Sequence, residues 1–250
     1  MRNTVDILGV PVDNLNMRQA VDTVKSFLSE DKIHAVYTPN AEIMMEAHRN
    51  PYLKDILCEA DLLVADGAGV VMASKILGVG LPERVAGFDL IKNLFAETEN
   101  TPMRFFLFGG KPGIAEQARD NLLKEYKNIE VVGIRNGYFS SSDEKDIIEE
   151  INSSKADILL VALGAPKQEI WIHEHKSILN VKVCIGVGGS FDILSGNAKR
   201  APEFFQKHHL EWFYRLCKEP WRYKRMLDLP KFIMKVTKVR LFRVGKKQGA

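Results

Sequence analysis

Seven short stretches of this chain are apolar almost without a break, and a helical pattern separates most of them from the next. The stretches are 5–10, 33–37, 62–65, 104–108, 130–134, 158–163 and 183–187. A strand with one wet face alternates apolar and polar residues, so near-continuous apolar runs of this length belong to strands covered on both faces. Helical spacing marks 17–29, 41–48, 68–77, 89–97, 114–126, 143–152 and 167–175. Asn16 precedes the first of these as a cap, and Ser140-Ser141-Ser142-Asp143-Glu144 offers caps and early acid for the sixth. The alternation predicts an α/β fold: a mostly parallel, Rossmann-like sheet with helices on both faces. A length of 250 residues suits one large α/β domain or one and a half domains.

The pattern changes after Ser195-Gly196. Pro202, Pro220 and Pro230 divide the rest of the chain into the helical pieces 203–208, 210–218, 221–227 and 231–243. Charge divides at the same place. Residues 196–250 hold 15 Lys/Arg and 4 Asp/Glu, a net +11, whereas residues 1–195 hold 20 and 28, a net −8. The reading is therefore an α/β core over 1–195 and a small basic, aromatic, helical appendage over 196–250. Lys and Arg interleaved with Phe204, Trp212, Tyr214, Trp221 and Phe242 suit an anionic bilayer surface or a nucleic acid. The last piece sets Phe232, Ile233, Val236, Val239 and Phe242 on one face and Lys231, Lys235, Lys238 and Arg240 on others. Such a helix fits either a core or a membrane surface, and its basic excess favours the membrane. No run reaches the roughly 18 uncharged apolar residues of a span, and the first residues lack a signal-peptide pattern, so a cytoplasmic protein is expected. Cys58, Cys184 and Cys217 form no CxxC pair and read as reduced thiols.

Ligands of open α/β sheets bind beyond the carboxyl ends of the strands. Those ends read Thr38-Pro39-Asn40, Asp66-Gly67, Gly109-Gly110-Lys111, Gly164-Ala165-Pro166-Lys167-Gln168-Glu169 and Gly186-Val187-Gly188-Gly189-Ser190-Phe191-Asp192. All five are small or polar where a turn needs a single Gly or Asn, which marks a site. Gly109-Gly110-Lys111 before a helix suits a diphosphate or nucleotide, or is a tight turn and nothing more. Both the GxGxxG fingerprint and the GxxxxGK[ST] loop are absent, which disfavours a nicotinamide enzyme or an ATPase. Asp66 ends an apolar run beside a glycine. A carboxylate half-buried there can take a proton from a hydroxyl, or it can cap the next helix. No HExxH or Asp-x-Asp occurs, and His173/His175 are spaced for different helix faces. No metal is expected, and a diphosphate would be met by arginines, whose planar fork clamps two oxygens. Arg84, Arg200, Arg215, Arg222 and Arg225 are the candidates.

These segments, in this order, with Pro82-Glu83-Arg84-Val85-Ala86-Gly87-Phe88-Asp89, Arg200-Ala201-Pro202, Glu211-Trp212 and Glu219-Pro220-Trp221-Arg222, resemble the bacterial TagA/WecG/CpsF glycosyltransferase family over about residues 5–230. The likeness is greatest to its wall teichoic acid branch. It implies inverting transfer of N-acetylmannosamine from UDP-N-acetylmannosamine to undecaprenyl-diphosphate-linked N-acetylglucosamine, β-1,4-linked and without a metal. It also implies an appendage that meets the inner face of the cell membrane and completes the site. On this resemblance Asp66 is the base. Thr38, Asn40 and Gln168 hold the sugar or the acceptor hydroxyl, and Asp192 and the Gly109-Gly110 turn hold the nucleotide end. Arg84, or Arg215, Arg222 and Arg225 of the tail, offset the diphosphate charge. Other members transfer N-acetylmannosaminuronic acid or glucose, and the residues do not choose among the sugars. A nucleic-acid-binding protein that uses the tail would give the five strand ends no role, so nucleic acid is not an expected partner. A UDP-sugar epimerase on a similar sheet would need no acceptor. A homo-oligomer is compatible with the sequence.

Overall fold

The computed structural model describes residues 2–208, 210–218, 220 and 223–248, and for 215, 224, 225 and 243–248 it describes the backbone alone. The chain opens with β1 (Thr4–Ile7) and β2 (Val10–Asp13), followed by α1 (Met17–Phe27), β3 (His34–Tyr37), α2 (Ala41–Arg49), α3 (Pro51–Cys58), β4 (Leu62–Leu63), α4 (Ala68–Leu77) and α5 (Gly87–Glu97). Then come β5 (Arg104–Gly109), α6 (Ile114–Glu125), β6 (Glu130–Arg135), α7 (Glu144–Ser153), β7 (Ile158–Ala162), α8 (Lys167–His175), β8 (Val183–Gly186) and α9 (Ser190–Leu194). Four helices finish the chain: α10 (Glu203–Lys207), α11 (Glu211–Lys218), α12 (Tyr223–Met226) and α13 (Asp228–Gln248).

Six strands form one sheet in the order β4-β3-β8-β7-β5-β6, every pair of neighbours parallel. Successive residues of a strand point to opposite faces, and here both faces are apolar. Phe106, Phe108, Leu159, Val161 and Cys184 join one buried cluster, with α2, α3, α4 and α8. Phe105, Leu107, Ile158, Leu160, Val183 and Ile185 join the other, with α1, α5 and α6. Two-sided burial explains the continuous apolar runs of β3, β4, β5, β7 and β8, whereas the edge strand β6 is only partly buried. Each large side chain so buried contributes about 1.5–3 kcal/mol by leaving water.

Three features differ from the sequence reading. The stretch 5–10 is not a strand of the main sheet. It is a hairpin, β1 antiparallel to β2, that turns at Leu8 and Gly9, where φ is 57° and 84°. Two consecutive positive φ values are the requirement of the tight hairpin turn whose twist matches the strands. Asp13 at the end of β2 accepts the Leu63 N–H at 2.7 Å, which ties the hairpin to β4. A second helix, α3, comes directly after α2. Pro51 opens it, and Asn50 caps it by accepting from the N–H groups of Tyr52 and Leu53.

The third difference concerns α13, whose apolar face was expected to favour a membrane. Phe232 and Val236 are fully buried in the same cluster as the sheet, with Leu229, Ile233 and Val239 packed beside them. The helix lies against α4 and α2. Gly69 makes the approach possible, because a Cβ there would stand 2.6 Å from Leu229 Cδ1. At the other end Arg240 donates to the Leu77 carbonyl at 3.2 Å and so caps α4. The outer side of α13 keeps Met234, Leu241 and Phe242 about two-thirds exposed. No helix among the described residues is long and apolar enough to cross a membrane. Phe232→Ala is expected to lower the unfolding free energy by about 3–5 kcal/mol in urea titrations. Met234→Ala should stay within about 0.5 kcal/mol, and equal effects would mean that α13 does not join the core.

Candidate active site

The carboxyl ends of β3, β4, β7 and β8 surround a cavity of about 450 Å³. Thr38 and Asn40 come to it from β3, Asp66 from just after β4, Gln168 from α8, and Val187 to Ser190 from the turn after β8. A smaller cavity of about 160 Å³ adjoins it, lined in part by Arg84, Arg200, Glu211 and Trp212. Asn40, Glu42, Asp66, Phe88 and Ile193 line both, so Asp66 sits where the two meet.

Local chain chemistry fixes each of these groups. Asp66 does not cap α4. The cap position is Gly67, at φ 91°, and no side chain bonds there. Asp66 is half-buried, and its Oδ2 accepts the Gly87 N–H at 3.3 Å. Gly87 begins α5, and a Cβ on it would come within 2.7 Å of Thr38 Oγ1. Its bareness therefore lets Thr38, Asp66 and the start of α5 close on one another. Asn40 caps α2 by accepting the Ile43 N–H at 3.1 Å. That bond occupies its side-chain oxygen, so its side-chain nitrogen is the group suited to a ligand.

Gln168 is 3% exposed, and its Oε1 accepts the Gly188 N–H at 2.9 Å. Its Nε2 donates to Glu169 Oε1, also at 2.9 Å. Glu169 is the residue that the sequence reading passed over. Burial pushes its carboxyl up to about 7, opposed in part by the bond from Gln168. Its Oε2 is buried with no hydrogen-bond partner among the described residues.

Arg84 faces the smaller cavity, with its side chain 13% exposed and paired to Glu211 of α11. Asp89 lies 3.8 Å from it. Arg200 grips Asp89 through two bonds of 2.5 and 2.7 Å and reaches Glu211 at 3.3 Å. Two arginines and two carboxylates thus neutralise one another, and they fasten α11 to α5. At the larger cavity, Arg49 of α2 holds Asp228 at the start of α13 by two bonds of 3.0 and 2.9 Å.

Gly109, Gly110 and Asp192 do not line the large cavity. They lie farther along the same rim, at the ends of β5 and β8. Gly109 has no room for a side chain, since a Cβ would meet the Ala162 carbonyl at 2.4 Å. Gly110 faces Phe191, the neighbour of Asp192, so the turn and the start of α9 face each other. Arg222 lies outside the described residues, as do the side chains of Arg215 and Arg225. Glu42, Glu46 and Arg49, which line the cavity from α2, were not singled out from sequence. The signal was there: they fall at i, i+4 and i+7 on a helix that starts at a predicted site residue.

Fold and rim cavity define a Rossmann-like α/β protein with a polar cleft at the carboxyl edge of its sheet. The chain belongs to the glycosyl transferase WecG/TagA/CpsF family, whose sequence profile matches residues 5–246. It is 38% identical over 213 residues to a Bacillus spizizenii protein named N-acetylglucosaminyldiphosphoundecaprenol N-acetyl-beta-D-mannosaminyltransferase, covering 85% of this chain and 82% of that one. Proteins of the same name match at 37% identity in Bacillus subtilis, over 94% of this chain and 91% of the relative. In Staphylococcus aureus the identity is 34%, over 94% and 93%.

Glu169 gives the site a measurable pH signature. In the fold its carboxyl holds its proton up to about pH 7, against an ordinary 4.5. Between these values the unfolded chain binds fewer protons than the fold, so this group's effect on stability worsens as pH rises through that window and is level above it. Glu169→Gln removes the penalty. Its stability gain over the parent is expected to grow from pH 5 to pH 8 by on the order of 3 kcal/mol in urea titrations. A gain independent of pH would contradict a sealed carboxyl.

Proposed function

We propose that this protein transfers N-acetylmannosamine from UDP-N-acetylmannosamine to the 4-hydroxyl of undecaprenyl-diphosphate-linked N-acetylglucosamine, inverting the anomeric carbon, as in an early step of wall teichoic acid synthesis. One observation carries the reading. In a chain at 34–38% identity to enzymes of that name, a half-buried carboxylate stands at the meeting point of two rim cavities. Two cavities that meet at a base suit a reaction with two bulky substrates, a donor in one and an acceptor in the other.

In this reading the acceptor hydroxyl oxygen attacks the anomeric carbon as Asp66 takes its proton. The bond from that carbon to the β-phosphate oxygen breaks on the opposite face, and UDP leaves with the electron pair. Positioned general bases contribute about 10²–10⁴-fold to such steps. Thr38, Asn40 and Gln168 orient the sugars, while the Gly109-Gly110 turn and Asp192 take the nucleotide end. No metal is assigned a part. Charge on the departing diphosphate falls to arginines, and a cationic clamp preorganised in a dry site can supply several kcal/mol. Arg84 reaches a diphosphate by exchanging the Glu211 carboxylate for phosphate oxygens, so binding there would loosen α11. Arg215, Arg222 and Arg225 remain candidates for the lipid diphosphate.

The basic tail would bring the protein to the anionic inner face of the membrane, where its acceptor lies. Each Lys or Arg near such a surface contributes about 1 kcal/mol. Lys231→Glu with Lys238→Glu, both exposed on α13, should therefore lower binding to phosphatidylglycerol vesicles at least about tenfold. Binding at the parent level would remove α13 from the membrane contact.

Asp66→Asn is expected to cut turnover about 10²–10⁴-fold, with UDP affinity in calorimetry within about threefold of the parent. Near-parental turnover would refute Asp66 as the base. Consumption of the donor without acceptor would favour the epimerase, and preference for another UDP-sugar would move the protein to another branch of the family.

A further inference from the structure

Glu169 is a carboxyl group sealed beneath the site and given no part in the transfer chemistry. It is the third residue of α8 and 1% exposed. No basic side chain pairs with it among the described residues. Burying a carboxyl without a cationic partner is costly, so its one strong side-chain contact, the 2.9 Å bond from Gln168 Nε2, is informative.

The Gln168 side chain is a planar amide with a donor at one end and an acceptor at the other. Its nitrogen faces Glu169 and its oxygen faces the Gly188 N–H. Turned over, it would set N–H against the Gly188 N–H and lose that bond, and it would exchange the present Nε2–Glu169 bond for one that needs the carboxyl proton. Glu169 and Gly188 therefore hold the same end of Gln168 at the turn at 186–190, one from each side. That turn forms cavity wall from Val187 to Ser190. Gly188 adopts φ 51°, and a Cβ on it would meet nothing within 4 Å. The Gly188 amide is held by the hydrogen bond to Gln168, while the Ser190 N–H and hydroxyl bond the Val187 carbonyl on the other side of the turn. Below, the Tyr37 hydroxyl donates to the Glu169 backbone carbonyl at 3.3 Å, which joins the strand that delivers Thr38 to the same unit.

We propose that Glu169 is a positioning residue of the transfer reaction, acting through Gln168 to hold the 186–190 turn in the shape that forms the cavity wall. The proposal rests on the reaction assigned above and adds a residue that never touches substrate.

The test uses the full-length protein and two readouts: hydrogen exchange of the Gly188 amide by NMR without substrate, and steady-state transfer with donor and lipid acceptor. Glu169→Leu is expected to speed Gly188 exchange and to lower kcat/KM, each about tenfold or more, the loss of one buried hydrogen bond. Glu169→Met, unbranched and of similar length, carries the same expectation should the leucine variant not fold. Glu169→Gln keeps an oxygen that accepts from Gln168, and it should rescue both readouts to within about threefold. In the double variant with Gln168→Leu, adding Glu169→Leu should change kcat/KM less than about twofold, because the second residue acts through the first. Parental Gly188 exchange in both apolar variants would overturn the proposal. So would losses that multiply in the double variant, or failure of Glu169→Gln to rescue. If the parent transferred no sugar at all, the assigned reaction would fall, and Gly188 exchange alone would still decide whether Glu169 holds the turn.

Discussion

The site depends on burying a parallel sheet on both faces. Parallel strands all end on the same side, and the helices that cover both faces leave the two rims as the places where polar backbone and side chains emerge together. Thr38, Asp66, Gln168 and Gly188 come from segments separated by up to 150 positions, yet each lies within three residues of the end of a strand or at the start of a helix. Their convergence results from strand order. With β3 between β4 and β8, and β7 next in line, four carboxyl ends stand side by side.

Charge pairs then fasten two of the later helices to this core. Glu211 with Arg84 and Arg200 fastens α11 beside the smaller cavity, and Asp228 with Arg49 fastens α13 beside the larger. These pairs line the two cavities and engage Arg49, Arg84 and Arg200. The apolar face of α13 adds a grip that salt does not weaken. Helix α13 therefore covers the core with one face and exposes Lys231 and Lys238 on others.

Much of this was legible in the sequence, for identifiable reasons. Strand ends can be counted off from apolar runs, so Asp66 and the segments that carry Thr38, Asn40 and Gln168 were marked from the residues alone, and the family resemblance then singled out those three. Helices 68–77 and 167–175 were bounded correctly because glycine or proline marks an end of each. Most of what failed needed information that pattern lacks. Leu8 at positive φ breaks the usual Asn-Gly signature of a hairpin turn, so two strands read as one. An apolar stripe on α13 looks the same whether it meets lipid or protein, and the deciding residue, Gly69, lies far away in sequence. Arg84 was singled out, but its partner Glu211 stands 127 positions on. Glu169 resembles any acidic residue in the first turn of a helix, and only packing seals it. The Asn50-Pro51 start of α3 was readable and was missed.

A crystal structure of the protein with UDP is the most direct measurement of the central claim, that a sugar nucleotide lies along the carboxyl rim with its reacting end at Asp66. The diphosphate should lie on that rim with its open end toward the cavity bounded by Thr38, Asp66 and Gln168. UDP bound away from the rim, or with its diphosphate turned from Asp66, would contradict it.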